Sequence, residues 1–203
     1  LETYLKEIKY DRPIYEHFPM TGKVLDVGGG IGTVRQFLEE DTRFVSVDPF
    51  VSVMKTITPE RLEAYTCLGR PLNFLSAMAE FLPFTEESFN WVHMRSMLDH
   101  VQVPDLVMNE VHRVLAPGGR VLIGLMVEGG RSGKMSLKQR AKEIARTLLV
   151  AIGIERYKDH HVWHPTYDNL RKLIEDNGFK IEDVYWQPYW KDQVCYVQAQ
   201  KQE

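Results

Sequence analysis

One stretch constrains this chain more than any other: Val24-Leu25-Asp26-Val27-Gly28-Gly29-Gly30-Ile31-Gly32-Thr33. A short apolar run ends abruptly in clustered glycines. The run reads as a buried strand over Gly22 to Val27. Glycines placed there let the backbone turn sharply and let a ligand come close to the main chain. Thr33 to Glu40 follows as an expected helix, with Val34, Phe37 and Leu38 on one face. Its first turn offers free backbone N–H groups toward whatever lies above the strand.

The rest of the first two thirds repeats this strand-then-helix grammar. Arg43 to Val47, Leu72 to Ala77, Phe89 to Met94 and Arg120 to Met126 read as further strands. Asp105 to Leu115 carries apolar residues at helical spacing, and Ala116-Pro117-Gly118-Gly119 stops it. Such alternation predicts an α/β sandwich with a mostly parallel sheet and right-handed crossovers. Ligands in these sheets bind beyond the carboxyl ends of the strands, so the glycines after Val27 stand where one is expected. Near the end, Thr166 to Asn177 reads as a helix with Thr166 as N-cap and Gly178 past its end. Lys180 to Trp186 and Gln193 to Gln200 read as an antiparallel hairpin.

Composition sets outer bounds. With 203 residues, 44% apolar and 26% charged, the chain fits one globular domain over 1–203 that needs no disulfide or metal staple. Twenty-five Lys and Arg against 28 Asp and Glu give a net charge of -3, which argues against a general nucleic-acid coat. Cys67 and Cys195 have no CxxC spacing, so no structural zinc site is expected, and a reducing, cytoplasmic setting is. No apolar run approaches the roughly 20 residues that span a bilayer. The chain starts on Leu1 rather than Met, which reads as a trimmed or partial sequence.

Two cofactor classes use a glycine loop of this kind. A dinucleotide site asks for G-x-G-x-x-G, whose last glycine is here Thr33, with Gly32 one residue early. Asp48, at the end of the second strand, supplies the acceptor pair that ribose hydroxyls need. The G-x-G-x-G form resembles motif I of class I S-adenosylmethionine (SAM)-dependent methyltransferases. Ala79-Glu80-Phe81-Leu82-Pro83-Phe84, Ser88-Phe89-Asn90-Trp91-Val92 and Arg113-Val114-Leu115-Ala116-Pro117-Gly118-Gly119 resemble the A-E-x-L-P-F, S-F-D-x-V and R-V-L-x-P-G-G segments of a broad group of that family, which includes the ubiquinone and menaquinone biosynthesis enzymes. The four segments fall in the right order across about half the chain.

The resemblance implies a Rossmann-like three-layer α/β sandwich, with a mostly parallel seven-stranded sheet closed by an antiparallel C-terminal strand. It implies SAM as cofactor and a small-molecule acceptor methylated at oxygen or carbon. Residue by residue, it puts Gly28, Gly30, Gly32 and Asp26 at the methionine end of SAM, Asp48 at the ribose, and Met78, Ala79 and Glu80 at the adenine. Met78 replaces the usual Asp, which leaves packing against the ring and the Ala79 N–H. Met94 and Arg95 fall where the family lines cofactor and substrate. For Arg95 two readings stand: pairing with a carboxylate of cofactor or substrate, or an outward pair with Asp99. His100 is the candidate general base, tuned by Asp99. Two rivals stand beside catalysis: a non-catalytic SAM-binding module, given Met78, Asn90 and Asp99, and an NAD-dependent oxidoreductase.

Residues 127–165 read as a substrate-lid insertion. Its expected helix, Met135 to Ile152, carries a basic face of Lys138, Arg140, Lys142 and Arg146. That face raises contact with an anionic membrane surface, but such faces are more often simply solvated. His160-His161-x-x-His164 invites a metal reading, which Pro165 weakens by disfavouring helix at His164, and no metal is expected. Trp163, Tyr167, Tyr185, Trp186, Tyr189 and Trp190 could supply an aromatic substrate wall, and for the group from Tyr185 to Trp190 core and hairpin packing is the favoured reading.

Overall fold

A computed structural model describes residues 1–133, 141, 144–145, 161–188 and 191–203. In chain order the elements are α1 (Glu2–His17), β1 (Lys23–Val27), β2 (Arg43–Val47), α2 (Pro59–Ala64), β3 (Phe74–Leu75), β4 (Phe89–Arg95), α3 (Pro104–Val114), β5 (Leu115–Met126), α4 (Tyr167–Asp176), β6 (Phe179–Trp186) and β7 (Val194–Lys201). Short 3₁₀ turns fill several of the connections. The expected helix Met135 to Ile152, with its basic face, lies almost wholly outside the described residues, as do His160, Tyr189 and Trp190. None of the described helices is long and apolar enough to cross a membrane.

The sheet has seven strands in the order β3-β2-β1-β4-β5-β7-β6. All neighbours are parallel except β7, which runs antiparallel to both β5 and β6. β1 and β4 are adjacent and lead outward to opposite halves, so the strand order reverses between them. The glycine loop after β1 and the turn after β4 flank that point, where parallel sheets bind ligands. Of β1, all but Lys23 is buried, which is why it reads as a continuous apolar run rather than an alternation.

Apolar spacing explains the helices that cover the sheet. Val107, Met108, Val111 and Val114 put one face of α3 into the main core, beside Leu170, Leu173 and Ile174 of α4. α4 starts as its sequence foretells: Thr166 Oγ1 accepts the Asn169 N–H at 3.2 Å while Asn169 Oδ1 accepts the Thr166 N–H at 3.3 Å, a reciprocal cap. Trp163, Tyr167 and Trp186 pack on the same core, and Tyr167 meets Trp186 edge-on at 5.3 Å. For Trp186 this packing is the favoured expectation; Trp163 and Tyr167 join it there.

Three element boundaries differ from the sequence reading. The expected helix over Thr33–Glu40 is a 3₁₀ turn over Thr33–Phe37, and Leu38 is already extended. Arg35 ties this turn to the segment before β3: its buried guanidinium donates to the carbonyls of Gly32, Arg70 and Pro71. β3 shrinks from the expected Leu72–Ala77 to Phe74–Leu75. β5 begins at Leu115, not Arg120, because Ala116–Gly119 bulges out between two pairs with β4, Phe89 with Leu115 and Trp91 with Arg120.

Helix α1 was not foreseen. Its buried face mixes Ile8 and Ile14 with Asp11 and Tyr15, and it carries Pro13 inside, so it lacks a clean apolar stripe. It lies against the carboxyl ends of the strands through side chains described below.

Candidate active site

The turn after β1 is built on two main-chain anchors. The Gly28 N–H donates to the Val47 carbonyl at 2.7 Å, which ties the loop to the end of β2. The Gly30 N–H donates to Asp48 Oδ2 at 3.2 Å, and the Phe50 N–H to Asp48 Oδ1 at 2.8 Å. A carboxylate has about four lone-pair sites, so each oxygen of Asp48 keeps acceptor capacity after binding its own loop. Gly30 adopts a positive φ of 52°, and a side chain added there would meet nothing within 4 Å. Open space above a left-handed glycine is what close approach of a ligand requires. Gly29 serves the fold instead: a Cβ there would stand 2.2 Å from Asp26 Oδ2.

A cavity of about 620 Å³ opens beside this loop. Gly28, Asp48, Met78, Ala79, Glu80 and His100 are among its walls. Met78 is 54% exposed, and Ala79 is buried beneath it. The lining is mainly apolar with one buried carboxylate at an end, which suits an adenosine: a flat ring beside Met78 and a diol at Asp48.

On the other side of Gly28 lies a polar cleft of about 140 Å³. Asp26 Oδ1 is 2.7 Å from His93 Nδ1, and His93 Nε2 is 3.2 Å from the Tyr15 hydroxyl, all three buried. The tautomer that satisfies this chain donates from Nδ1–H to the carboxylate and accepts the Tyr15 O–H at Nε2. Burial pushes the Tyr15 hydroxyl well above its ordinary range, so it stays a donor. Arg95 closes the cleft with a two-pronged pair to Asp11 of α1, one arm at 2.8 Å. Asp11, Thr33, Tyr65 and Arg95 also wall a neighbouring cavity of about 490 Å³ between α1, α2 and Gln187.

After β4, a 3₁₀ turn over Leu98–His100 sends Asp99 inward and His100 outward. Asp99 is buried, and its carbonyl accepts the N–H groups of Val162 and Trp163 at 2.7 and 3.1 Å. His161 Nε2 then lies 3.4 Å from Asp99 Oδ2, and His100 Nε2 lies 4.0 Å from Asp99 Oδ1.

A profile for the family described as "Methyltransferase domain" matches residues 4–184. The chain belongs to the methyltransferase-domain family. Among relatives of this methyltransferase, the ubiquinone/menaquinone biosynthesis C-methyltransferase of Escherichia fergusonii is 27% identical over 175 residues, covering 80% of this chain and 68% of the relative. Two solved structures share the fold. A 1,6-didemethyltoxoflavin-N1-methyltransferase from Burkholderia thailandensis, solved with S-adenosylhomocysteine, has a TM-score of 0.63 at 18% identity, over 98% of this chain and 79% of that one. A SAM-dependent methyltransferase from Methanosarcina mazei has a TM-score of 0.61 at 18% identity, over 94% and 97%. The methyltransferase therefore uses SAM as methyl donor, and the oxidoreductase alternative falls away.

The methyltransferase gathers most residues expected at the cofactor. Gly28, Asp48, Met78, Ala79 and Glu80 share the larger cavity, while Asp26, Gly28 and Arg95 share the polar cleft. Two differ. Met94 is fully buried in the core between Val27 and Ile123 and lines neither space, because its side chain falls on the strand face turned away from Arg95. Gly32 faces Leu72 and Phe44, where a Cβ would come within 2.8 Å, so its smallness serves close packing beneath the loop. Arg95 pairs neither with Asp99 nor outward; Asp11 holds it. Asp11, Tyr15 and His93 were missed. A histidine inside the apolar run Trp91-Val92-His93-Met94, paired in register with Asp26, was the available signal for the last of them.

Proposed function

We propose that this methyltransferase acts on a small molecule, at carbon or oxygen. The observation that carries the reading is the 490 Å³ cavity sharing Asp11, Thr33, Tyr65 and Arg95 with the methionine-side cleft. Its volume suits a small molecule rather than a protein segment. The relative named as a C-methyltransferase supports carbon among the acceptors.

The residues proposed for the cofactor are Asp26, Gly28, Gly30, Asp48, Met78, Ala79, Glu80 and Arg95. When bound, SAM supplies a methyl group on a positively charged sulfur. The protein then has two tasks. It holds the acceptor in line and excludes water, where orientation alone contributes about 7–11 kcal/mol in favourable cases. It also removes a proton from a hydroxyl or an acidic carbon. His100, about half exposed on the wall of the larger cavity and facing the Asp99 carboxylate, is the proposed acceptor of that proton, a role that requires the reacting end of the acceptor to reach past Gly28, which the larger cavity and the polar cleft share.

The test is turnover with SAM against panels of phenols, enols, amines and peptides, with S-adenosylhomocysteine and acceptor mass read together. A mass gain of one methylene on a phenol or enol is expected. Methylation confined to amines or peptides overturns the reading.

A further inference from the structure

Asp99, His100 and His161 bring one carboxylate and two imidazoles to one spot from segments far apart in sequence. One ligating atom from each lies within 4.8 Å of the others. The separations from the carboxylate are 3.4 Å to His161 Nε2 and 4.0 Å to His100 Nε2. Ligands about 2.0–2.2 Å from a tetrahedral ion stand roughly 3.3–3.6 Å apart, so small side-chain adjustments reach that geometry.

Two further observations point the same way. First, Asp99 Oδ1 is buried without a hydrogen-bond partner among the described residues, while Oδ2 faces His161. A buried carboxylate oxygen with no donor is costly, and an ion satisfies it. Second, the backbone staples the two ligand-bearing segments together, since the Asp99 carbonyl takes both the Val162 and the Trp163 N–H. His161 is thereby held beside the turn that carries His100, and their rings lie 4.7 Å apart.

We propose that Asp99, His100 and His161 form a binding site for a divalent transition cation, zinc foremost, at the wall of the cofactor cavity. Two imidazoles and one carboxylate suit zinc, cobalt, iron or manganese better than magnesium or calcium, which prefer all-oxygen sets. Three protein ligands leave a further position open, as in sites that act on a substrate oxygen. If the acceptor is the hydroxyl compound proposed above, that position takes its oxygen and weakens its O–H bond. With the cation bound, His100 is a ligand in place of the free base proposed above, and the weakened O–H gives its proton to water.

The experiment uses the full chain without a histidine tag, stripped by chelator and titrated with Zn²⁺ or Co²⁺ in the absence of SAM and acceptor. One equivalent should bind at micromolar affinity or tighter, and Co²⁺ should show visible absorption bands of a nitrogen–oxygen ligand set. His100→Ala and His161→Ala should each weaken binding about tenfold or more, while His112→Ala, whose ring rests against Phe179 and the Gln202 carbonyl, should not. Asp99 is buried, so Asp99→Asn is read only beside a melting curve, and the two histidine variants carry the decision. Absence of stoichiometric binding, or binding indifferent to both histidine variants, overturns the proposal. SAM titrations on the same preparations keep this result apart from the methyl-transfer reading.

Discussion

Asp48 binds its own loop before it binds anything else. Both oxygens already accept a backbone N–H, so the carboxylate is fixed before the cofactor arrives. Asp48→Ala should raise the SAM dissociation constant about 10–100-fold, the worth of one charge-assisted hydrogen bond of about 1.5–3 kcal/mol, measured by calorimetry. An affinity within twofold of the parent would remove the ribose assignment. His100→Gln keeps size and loses the imidazole, proposed above as proton acceptor or, with a cation bound, as ligand. Its turnover should fall about 100-fold or more with SAM affinity unchanged, whereas a rate within twofold would remove His100 from the chemistry. The cysteines belong to the core. Burial pushes the Cys195 thiol up to about 12 and raises that of Cys67, so neither forms appreciable thiolate at pH 8. A thiol reagent such as DTNB should label neither in the folded protein and both after unfolding. Residue placement was legible where a motif named it, as at Asp48, which lines the larger cavity with Met78 and Ala79. It was illegible where a contact joins distant segments, as between Asp11 and Arg95 or between Asp99 and His161.

Helix α3 shows why the A-E-F-L-P-F and R-V-L-A-P-G-G segments occur together. Glu110 accepts the Leu82 N–H at 2.7 Å, and Arg113 donates to the carbonyls of Leu82 and Phe84 while pairing with Glu110. One turn of helix thus clamps the loop that continues from Ala79 and Glu80 in the wall of the larger cavity. The hydrogen bonds from Arg113, and after them the Leu82 N–H, hold the Glu110 carboxyl below its ordinary value. A carboxyl depressed in the folded state adds stability that is present above its unfolded pKa and lost as pH falls through the folded one. Urea denaturation should therefore show Glu110→Gln less stable than the parent at pH 7, with the gap narrowing below about pH 4.3. A gap independent of pH would mean that packing, not charge, holds the clamp. Elements with a clean period were readable: α3, α4 and the hairpin strands. The 3₁₀ turn after Gly32 was not: the buried guanidinium of Arg35 ties it to the segment before β3, and apolar spacing does not report such bonds. Nor was α1, whose inward face owes its place to Asp11 and Tyr15 rather than to an apolar stripe.

Across the whole molecule the alternation of strands and helices carried the topology, since right-handed crossovers leave few arrangements for a parallel sheet. What it did not carry was the extent of each strand, as the two-residue β3 and the bulged start of β5 show. The final strand in sequence is interior in space: β7 lies between β5 and β6, with Cys195, Tyr196 and Val197 fully buried. A chain ending at Gln193 should lose cooperative unfolding and soluble expression together, read by thermal melting and sedimentation. A soluble, cooperatively melting product would show that β5 closes the sheet unaided. The same arrangement decides which strands meet solvent edgewise. One margin is β3, only two residues long. The other is β6, broken by a register shift between Ile181 and Asp183 and studded with Lys180, Glu182 and Asp183. A short margin and a kinked, charged one are poor templates for a strand from another molecule, so the fold carries its own protection against growth by lateral strand addition.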